Sequence, residues 1–386
     1  MITLYEFIGS SKQPWHFFPA NFGRINLLVG ASSSGKTRFL NTLFNFSNFV
    51  SKGLPFPNGA GRWNLEISSP LTKYHYTWHF DVGDEPRSRN VVQRETLILR
   101  DPSGDEKTIV DRTPDKFKFL DNLLPKLQSD VPSVTLLKEE PLIQPLYHIF
   151  SHMERRTFHD VGLATAATIQ NVPRQLIDIL NERKNLETIW ALGLADFGLS
   201  AKLFLLEKFF PEIYQTALKS FIDVFPTVQA ARIQFLTSSQ APFPDLDPRE
   251  QVPVLTIKEK GIEPWLSLAD LSSGMQKVLL IVTDILTLPG DCVYIIDEYE
   301  NSLGVNAIDF LPSFLIDRGG NNQFFITTHH PYLINNMPIK NWRIFTRQGS
   351  NVHIRLGEEL EARYGKSKQK AFIQLINDPI YTEGVQ

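Results

Sequence analysis

Gly30-Ala31-Ser32-Ser33-Ser34-Gly35-Lys36-Thr37 matches G-x-x-x-x-G-K-[ST], the glycine-rich loop that cradles phosphate groups. Ahead of it, Arg24 to Val29 is a short apolar run that reads as a buried strand. Behind it, Arg38 to Phe44 carries apolar residues at helical spacing. Strand, loop and helix are the context the motif needs. The glycines let the backbone curl so that successive N–H groups face one anion. The helix N-terminus adds its partial positive charge. Gly30, Ser32, Ser33, Ser34, Gly35, Lys36, Thr37 and Arg38 are therefore the candidate nucleotide-binding residues. Lys36 is placed to reach β- and γ-phosphates and the Thr37 hydroxyl to bind Mg²⁺. The cofactors this implies are ATP and Mg²⁺.

The bulk numbers are compatible with that reading and narrow it. A chain of 386 residues, 42% hydrophobic and 21% charged, can bury the core of one large or two ordinary globular domains. A formal net charge of −3 gives no overall attraction to nucleic acid or anionic lipid, so any such binding needs a local patch. The single cysteine, Cys292, excludes an intrachain disulfide and, with the nucleotide motif, points to a reducing cytoplasm. Met1 to Phe7 lacks the basic-then-apolar plan of a signal peptide, and no stretch approaches the ~20 apolar residues of a membrane span. No membrane partner is expected.

Along the chain, residues 2–8 and 15–18 read as strands before the loop. Trp63 to Ile67, Lys73 to Phe80, Val91 to Leu99 and Lys107 to Val110 alternate in polarity and are rich in aromatic and β-branched residues. We expect an antiparallel sheet over 61–111. From Pro114 the period changes, and Lys116 to Leu127, Leu142 to Met153 and Pro173 to Val224 read as helical. Strands return at Arg232 to Leu236 and Val254 to Lys258, with a proline-rich loop between them. Strand and helix then alternate, as in a mainly parallel sheet. The organisation expected is 1–113 for a first part of the nucleotide-binding head, 114–230 for a helical insert and 231–386 for the remainder of the head.

A second half of the site lies there. Cys292 to Asp297 is an apolar strand that ends in Asp297-Glu298. At such a strand end Asp297 suits the water shell of Mg²⁺, and Glu298 suits polarising an attacking water. Leu271-Ser272-Ser273-Gly274-Met275 opens the helix Gln276 to Leu288, where Ser272 and Gly274 can form another anion-binding turn. Phe324 to Pro331 is a strand ending in His329, whose imidazole can hydrogen-bond a γ-phosphate.

In this order the elements resemble ABC-type ATPases that are not transporters, the SMC-like and OLD-like group. Walker A is Gly30–Thr37, the signature Leu271–Met275, Walker B Val293–Glu298 and the switch histidine His329. The resemblance covers 1–60 and 265–345. It implies an α/β fold, a P-loop ABC-type ATPase head with an antiparallel β-subdomain and an inserted helical domain. It further implies catalytic roles for Glu298, His329 and Lys36, nucleotide contacts from Ser272 and Gly274 in trans, and Mg²⁺ ligation by Thr37 and Asp297. Two heads would meet head to tail over ATP, as a homodimer or higher homo-oligomer. Departures are Ser32 where the family has Asn, Met275 where the signature ends in Gln, and Gly304-Val305 in place of His-Pro. Gln93 and Gln144 both stand as candidates for the glutamine that completes the Mg²⁺ shell.

Three functional classes follow from the resemblance. One is an ATPase that controls a partner effector, a nuclease or toxin, as relatives in bacterial anti-phage defence operons do. Another is a DNA-repair or chromosome-maintenance ATPase that binds DNA directly, and the third is a transporter ATPase. The large insert and the N-terminal plan disfavour the transporter. No Asn-Lys-x-Asp guanine motif occurs, which disfavours a GTPase. The one Asp-x-Asp pair, Asp245-Leu246-Asp247, lies between prolines rather than at a strand end, so no nuclease site is expected on this chain. Residues 340–370 hold eight basic residues (Lys340, Arg343, Arg347, Arg355, Arg363, Lys366, Lys368, Lys370) and three acids, a local bias that suits phosphates or an acidic partner.

Overall fold

The computed structural model describes residues 1–10, 12–53, 60–84, 90–125, 127–157, 174–182, 184–195, 198–236, 252–359, 373 and 377. Asp245, Asp247, Arg363, Lys366, Lys368 and Lys370 lie outside them. The chain divides into two compact units. The first comprises Met1–Arg155, Gly290–Glu298 and Asn321–Gln386, the second Arg156–Pro289 and Tyr299–Gly320.

The first unit begins with β1 (Ile2–Gly9), β2 (His16–Asn21), β3 (Ile25–Val29) and α1 (Lys36–Lys52). It continues through β4 (Gly61–Ser69), β5 (Tyr74–Asp84), β6 (Asn90–Arg100), β7 (Glu106–Thr113), β8 (Lys116–Phe119) and β9 (Asn122–Leu123). Helices α2 (Ser133–Leu136) and α3 (Gln144–Ser151) follow, and then β10 (Met153–Arg156), whose last residue opens the second unit. The second unit runs through α4 (Arg174–Glu182), α5 (Leu186–Leu194), α6 (Leu199–Phe209), α7 (Pro211–Val224), β11 (Val228–Leu236), β12 (Val252–Glu259), β13 (Leu266–Ser267) and α8 (Ser273–Thr287). The chain returns to the first unit for β14 (Val293–Ile296), leaves it for α9 (Val305–Arg318), and comes back for β15 (Gln323–Thr327), α10 (Pro331–Asn336), β16 (Trp342–Gln348) and β17 (Asn351–Leu356).

One mixed sheet organises the first unit, in the order β10-β14-β15-β3-β16-β17-β2-β1-β4-β5-β6-β7-β8-β9. The central strands β14, β15, β3 and β16 pair in parallel, with Leu27 of β3 between Ile326 and Trp342. From β1 to β9 every pairing is antiparallel. The antiparallel part is thus a continuation of the parallel sheet. Helix α1 covers both. Its buried residues Phe39, Leu43, Phe46 and Val50 recur at three and four positions and form one stripe. At one end Phe39 meets Tyr5 (ring centroids 5.1 Å), Phe345 (5.6 Å) and Phe325 (5.9 Å). At the other Phe46 meets Trp63 (5.1 Å), Trp78 (5.3 Å) and Phe150 (5.6 Å). Each such pair adds about 0.5–1.5 kcal/mol beyond burial.

The mixed α/β architecture and the antiparallel strands agree with the sequence reading. The helix expected over Lys116 to Leu127 does not form, and β8 and β9 take its place. Phe117, Leu120 and Leu124 have helical spacing, but Lys-Phe-Lys-Phe also alternates. The second pattern wins because Val110 and Arg112 on β7 offer register partners to Phe119 and Phe117. Leu120 turns the chain at φ 52°.

In the second unit the three-stranded sheet β11-β12-β13 pairs antiparallel. Helix α8 is buried along nearly its whole length, Asp284 included. That carboxylate is held by Arg156 Nε at 2.7 Å and Lys202 Nζ at 3.7 Å. Removing one partner from such a buried set leaves an uncompensated charge.

Candidate functional site

Strand β3 is buried at every position, so the chain leaves it at a fixed point and the loop 30–35 begins there. Ser33 (φ 65°) and Gly35 (φ 102°) turn it through left-handed conformations. A Cβ on Gly30 would lie 2.6 Å from the Phe345 carbonyl oxygen and 2.8 Å from Ser34 Oγ, which only glycine avoids. Lys36 is 5% exposed, and its ammonium donates to the carbonyls of Gly30 (2.8 Å) and Ala31 (2.9 Å). The loop's own backbone carbonyls therefore hold the cation against the loop.

Ser32 to Arg38 line a cleft of about 430 Å³ together with Trp15, Asn41, Glu298, His329 and Arg347. The structure thus brings the P-loop, Glu298 and His329 to one place. Glu298 sits at φ 52°, a conformation uncommon for a side-chain-bearing residue and found often at functional sites. Its amide donates to Thr327 Oγ1 (2.7 Å), and that hydroxyl donates to Asp297 Oδ1 (2.7 Å). Arg155, at the end of β10, donates to the other carboxylate oxygen, Oδ2, at 2.7 Å and to Asn41 Oδ1 at 2.6 Å. Asp297 is 6% exposed and so presents a nearly desolvated carboxylate to a cation. Thr37 stands exposed in the first turn of α1. A hydroxyl and a carboxylate that already holds a guanidinium are the hard-oxygen set that suits Mg²⁺.

Ser272 and Gly274 lie in the second unit and are not among the residues that line the cleft. Ser272 Oγ accepts from the Met275 amide at 3.3 Å and caps α8. A Cβ on Gly274 would lie 2.3 Å from the Ser302 carbonyl oxygen. Lys277 Nζ donates to the carbonyls of Tyr299 (2.9 Å) and Asn301 (3.3 Å). The start of α8 and the segment 299–302 are therefore fastened to each other.

Neither glutamine candidate lines the cleft. Gln93 is exposed on β6 and Gln144 is exposed in the first turn of α3. The residue that reaches Asp297 from this part of the chain is Arg155. Trp15, Asn41 and Arg155 were not among the residues that sequence motifs singled out, and Thr327 stood only within the stretch Phe324 to Pro331 without a role of its own. Arg347 appeared only within the basic run. The Arg38 guanidinium stacks 4.4 Å from the Trp15 ring centroid and that of Arg347 lies 5.4 Å from it. With Lys36 they give the mouth of the cleft a positive character suited to a polyphosphate. Behind β14, His148 Nε2 contacts the Gly290 carbonyl (3.1 Å) and His152 Nδ1 (3.0 Å). Burial, and then His148, lower the His152 pKa to about 4.

Residues 166–335 match the family described as "AAA domain, putative AbiEii toxin, Type IV TA system". The match contains α8, the acidic strand and His329, and lies wholly after the P-loop. No curated protein matches the chain. Among solved structures, an SMC head bound to the C-terminal winged-helix domain of ScpA is similar at 12% identity and a TM-score of 0.50, over 92% of this chain and 96% of that one. The SMC head domain from Thermotoga maritima is similar at 10% identity and TM-score 0.40, over 92% and 98%. An SMC head from Pyrococcus furiosus with an extended coiled coil, bound to the C-terminal domain of ScpA, is similar at 14% and 0.45, over 94% and 98%. Together these give the fold class: a mixed α/β fold of the P-loop ATPase type, like that of SMC heads, in which residues 166–335 are similar to an AAA domain.

Proposed function

We propose that the chain binds and hydrolyses ATP, closes on a second copy in doing so, and thereby controls a partner effector, a nuclease or toxin, in anti-phage defence. The observation that carries the nucleotide part is the meeting of the P-loop, Glu298 and His329 around one cleft, with Asp297 held behind Glu298. Lys36 and the loop amides would hold the phosphates, and Thr37 and Asp297 would hold Mg²⁺. When bound, Mg²⁺ neutralises charge that develops between the β- and γ-phosphates. Glu298 would take the proton from the attacking water, and His329 would donate to the γ-phosphate.

The start of α8, with Ser272 and Gly274, would complete the site of the opposite copy. Its fastening to 299–302 supports a rigid anion-binding face. A place in a system of this kind is supported by the matched family's description, which names its own AAA domain a putative toxin of a toxin–antitoxin system; the separate effector is the reading the resemblance implies. It also fits the sequence's lack of a second set of converging carboxylates on rigid elements. Among the described residues no group of three or more His, Cys, Asp or Glu could hold a metal ion, and no helix is long and apolar enough to cross a membrane.

The test is equilibrium binding of a fluorescent ATP analogue to the full chain and to Lys36→Ala. Binding by the wild type and its loss in the variant are expected. Equal affinity in both would remove the P-loop from the site.

A further inference from the structure

Among the described residues, Arg155 is the one cation that hydrogen-bonds Asp297, the Walker B acid of the proposed site. Its Nη2 donates to Asp297 Oδ2 at 2.7 Å, its Nη1 donates to Asn41 Oδ1 at 2.6 Å, and its Nε is buried with no hydrogen-bond partner among the described residues. Asp297 Oδ1 is engaged by Thr327 at 2.7 Å. Each Asp297 oxygen thus already accepts one hydrogen bond, so a metal shell must share the carboxylate with Thr327 or Arg155. Arg156, next along the strand, is committed to Asp284 at 2.7 Å. Successive strand residues point to opposite faces, so the two arginines cannot exchange roles. Arg155 lies on β10 and Asp297 directly follows β14, its neighbour in the sheet, so the backbone of both strands sets where the pair meets.

We propose that Arg155 guards the Mg²⁺ position: it holds the Asp297 carboxylate as an internal counter-cation, and Mg²⁺ must compete with it for that carboxylate. This rests on the reading of Asp297 as the Mg²⁺ carboxylate. An ion held inside the fold competes at high effective concentration with one from solution. The guanidinium carries a full charge within hydrogen-bond distance of that oxygen, so Mg²⁺ approaching the same carboxylate meets its repulsion at short range. The pair thus raises the free Mg²⁺ needed to load the site. It keeps Asp297 from repelling the phosphates of nucleotide that arrives without metal. Arg155 is a positioning residue in this scheme, acting through Asp297.

The test follows metal binding, with turnover left aside. Mn²⁺ would be titrated by electron paramagnetic resonance into the full chain with a saturating non-hydrolysable ATP analogue, for wild type, Arg155→Ala, Arg155→Gln and Arg155→Lys. Thermal melts would confirm folding. Removing the charge in Ala or Gln is expected to lower the Mn²⁺ midpoint by about tenfold, the size of one charge-assisted hydrogen bond. Lys, which keeps a cation in reach, is expected to stay within about threefold of wild type. An unchanged or raised midpoint in both folded neutral variants overturns the proposal. So does loss of the ATP analogue from them at saturating Mn²⁺, since that would make Arg155 a phosphate ligand. Failure of Asp297→Asn to weaken Mn²⁺ would instead overturn the placement of the metal and leave the P-loop reading to its own Lys36 test.

Discussion

The Thr327 hydroxyl donates to Asp297 at 2.7 Å while it accepts the Glu298 amide at 2.7 Å, so one side chain on β15 orients both acids at the end of β14. Thr327→Val keeps the shape and removes both bonds. Two buried polar groups then lose partners, at about 1–3 kcal/mol each. The expected outcome is a lower melting temperature together with weaker Mg²⁺-dependent nucleotide binding. A melt and a binding curve that both match wild type would show that the clip does no orienting.

Glu298→Gln should keep nucleotide binding and lose turnover. The amide is isosteric with the carboxylate but cannot take a proton, and positioned general bases contribute about 10²–10⁴-fold. Phosphate release and equilibrium binding, measured on the same preparation, separate the two effects. A rate within a few-fold of wild type would reassign the base.

Ser272→Arg should bind ATP normally and fail to hydrolyse it, because the long cation would fill the phosphate position offered to the opposite copy. Mixed with Lys36→Ala, it makes a pair in which one composite site carries both lesions and the other carries none. Partial recovery of hydrolysis in the mixture is expected. No recovery at any ratio would argue that each chain acts alone or that both sites must fire together.

Acid should weaken the fold through His152. Its pKa in the folded chain is about 4 against an ordinary 6.5, so the folded state prefers the neutral ring. The stability tied to that preference is fully present above pH 6.5 and is lost as the pH falls from about 6.5 to about 4. In His152→Asn, melting temperature should fall less steeply over that interval than in wild type. Parallel profiles would place the acid sensitivity elsewhere.

What was legible in the sequence were features written in a few consecutive residues. The phosphate loop, the apolar strand ending in Asp297-Glu298 and the strand before His329 each carry their own pattern, and the fold brings Ser32 to Arg38, Glu298 and His329 to one cleft, which neither Asp297 nor the Ser272 turn lines. Arg155 could not be found that way. Its importance comes from the pairing of β10 with β14, two strands about 140 residues apart, and no local spacing encodes a sheet neighbour. Trp15 likewise gains meaning only when Arg38 and Arg347 arrive on its faces from other elements. The misread segment at Lys116 shows the limit from the other side. Phe117, Leu120 and Leu124 satisfy one period and Phe117 and Phe119 satisfy another, so only the partner strand decides.

The position of β3 has a consequence for how the protein is made. Its sheet neighbours are β15 and β16, and Ile25 waits for Phe324, about 300 residues later. At roughly 5–20 residues per second, the ribosome takes on the order of 15–60 s to cover that distance. Throughout, the strand that launches the phosphate loop has both edges open, while β4 to β7 can already zip onto β1 as successive hairpins. The antiparallel half is thus available early as a template, and the nucleotide cleft is among the last parts of the molecule that the nascent chain is able to assemble.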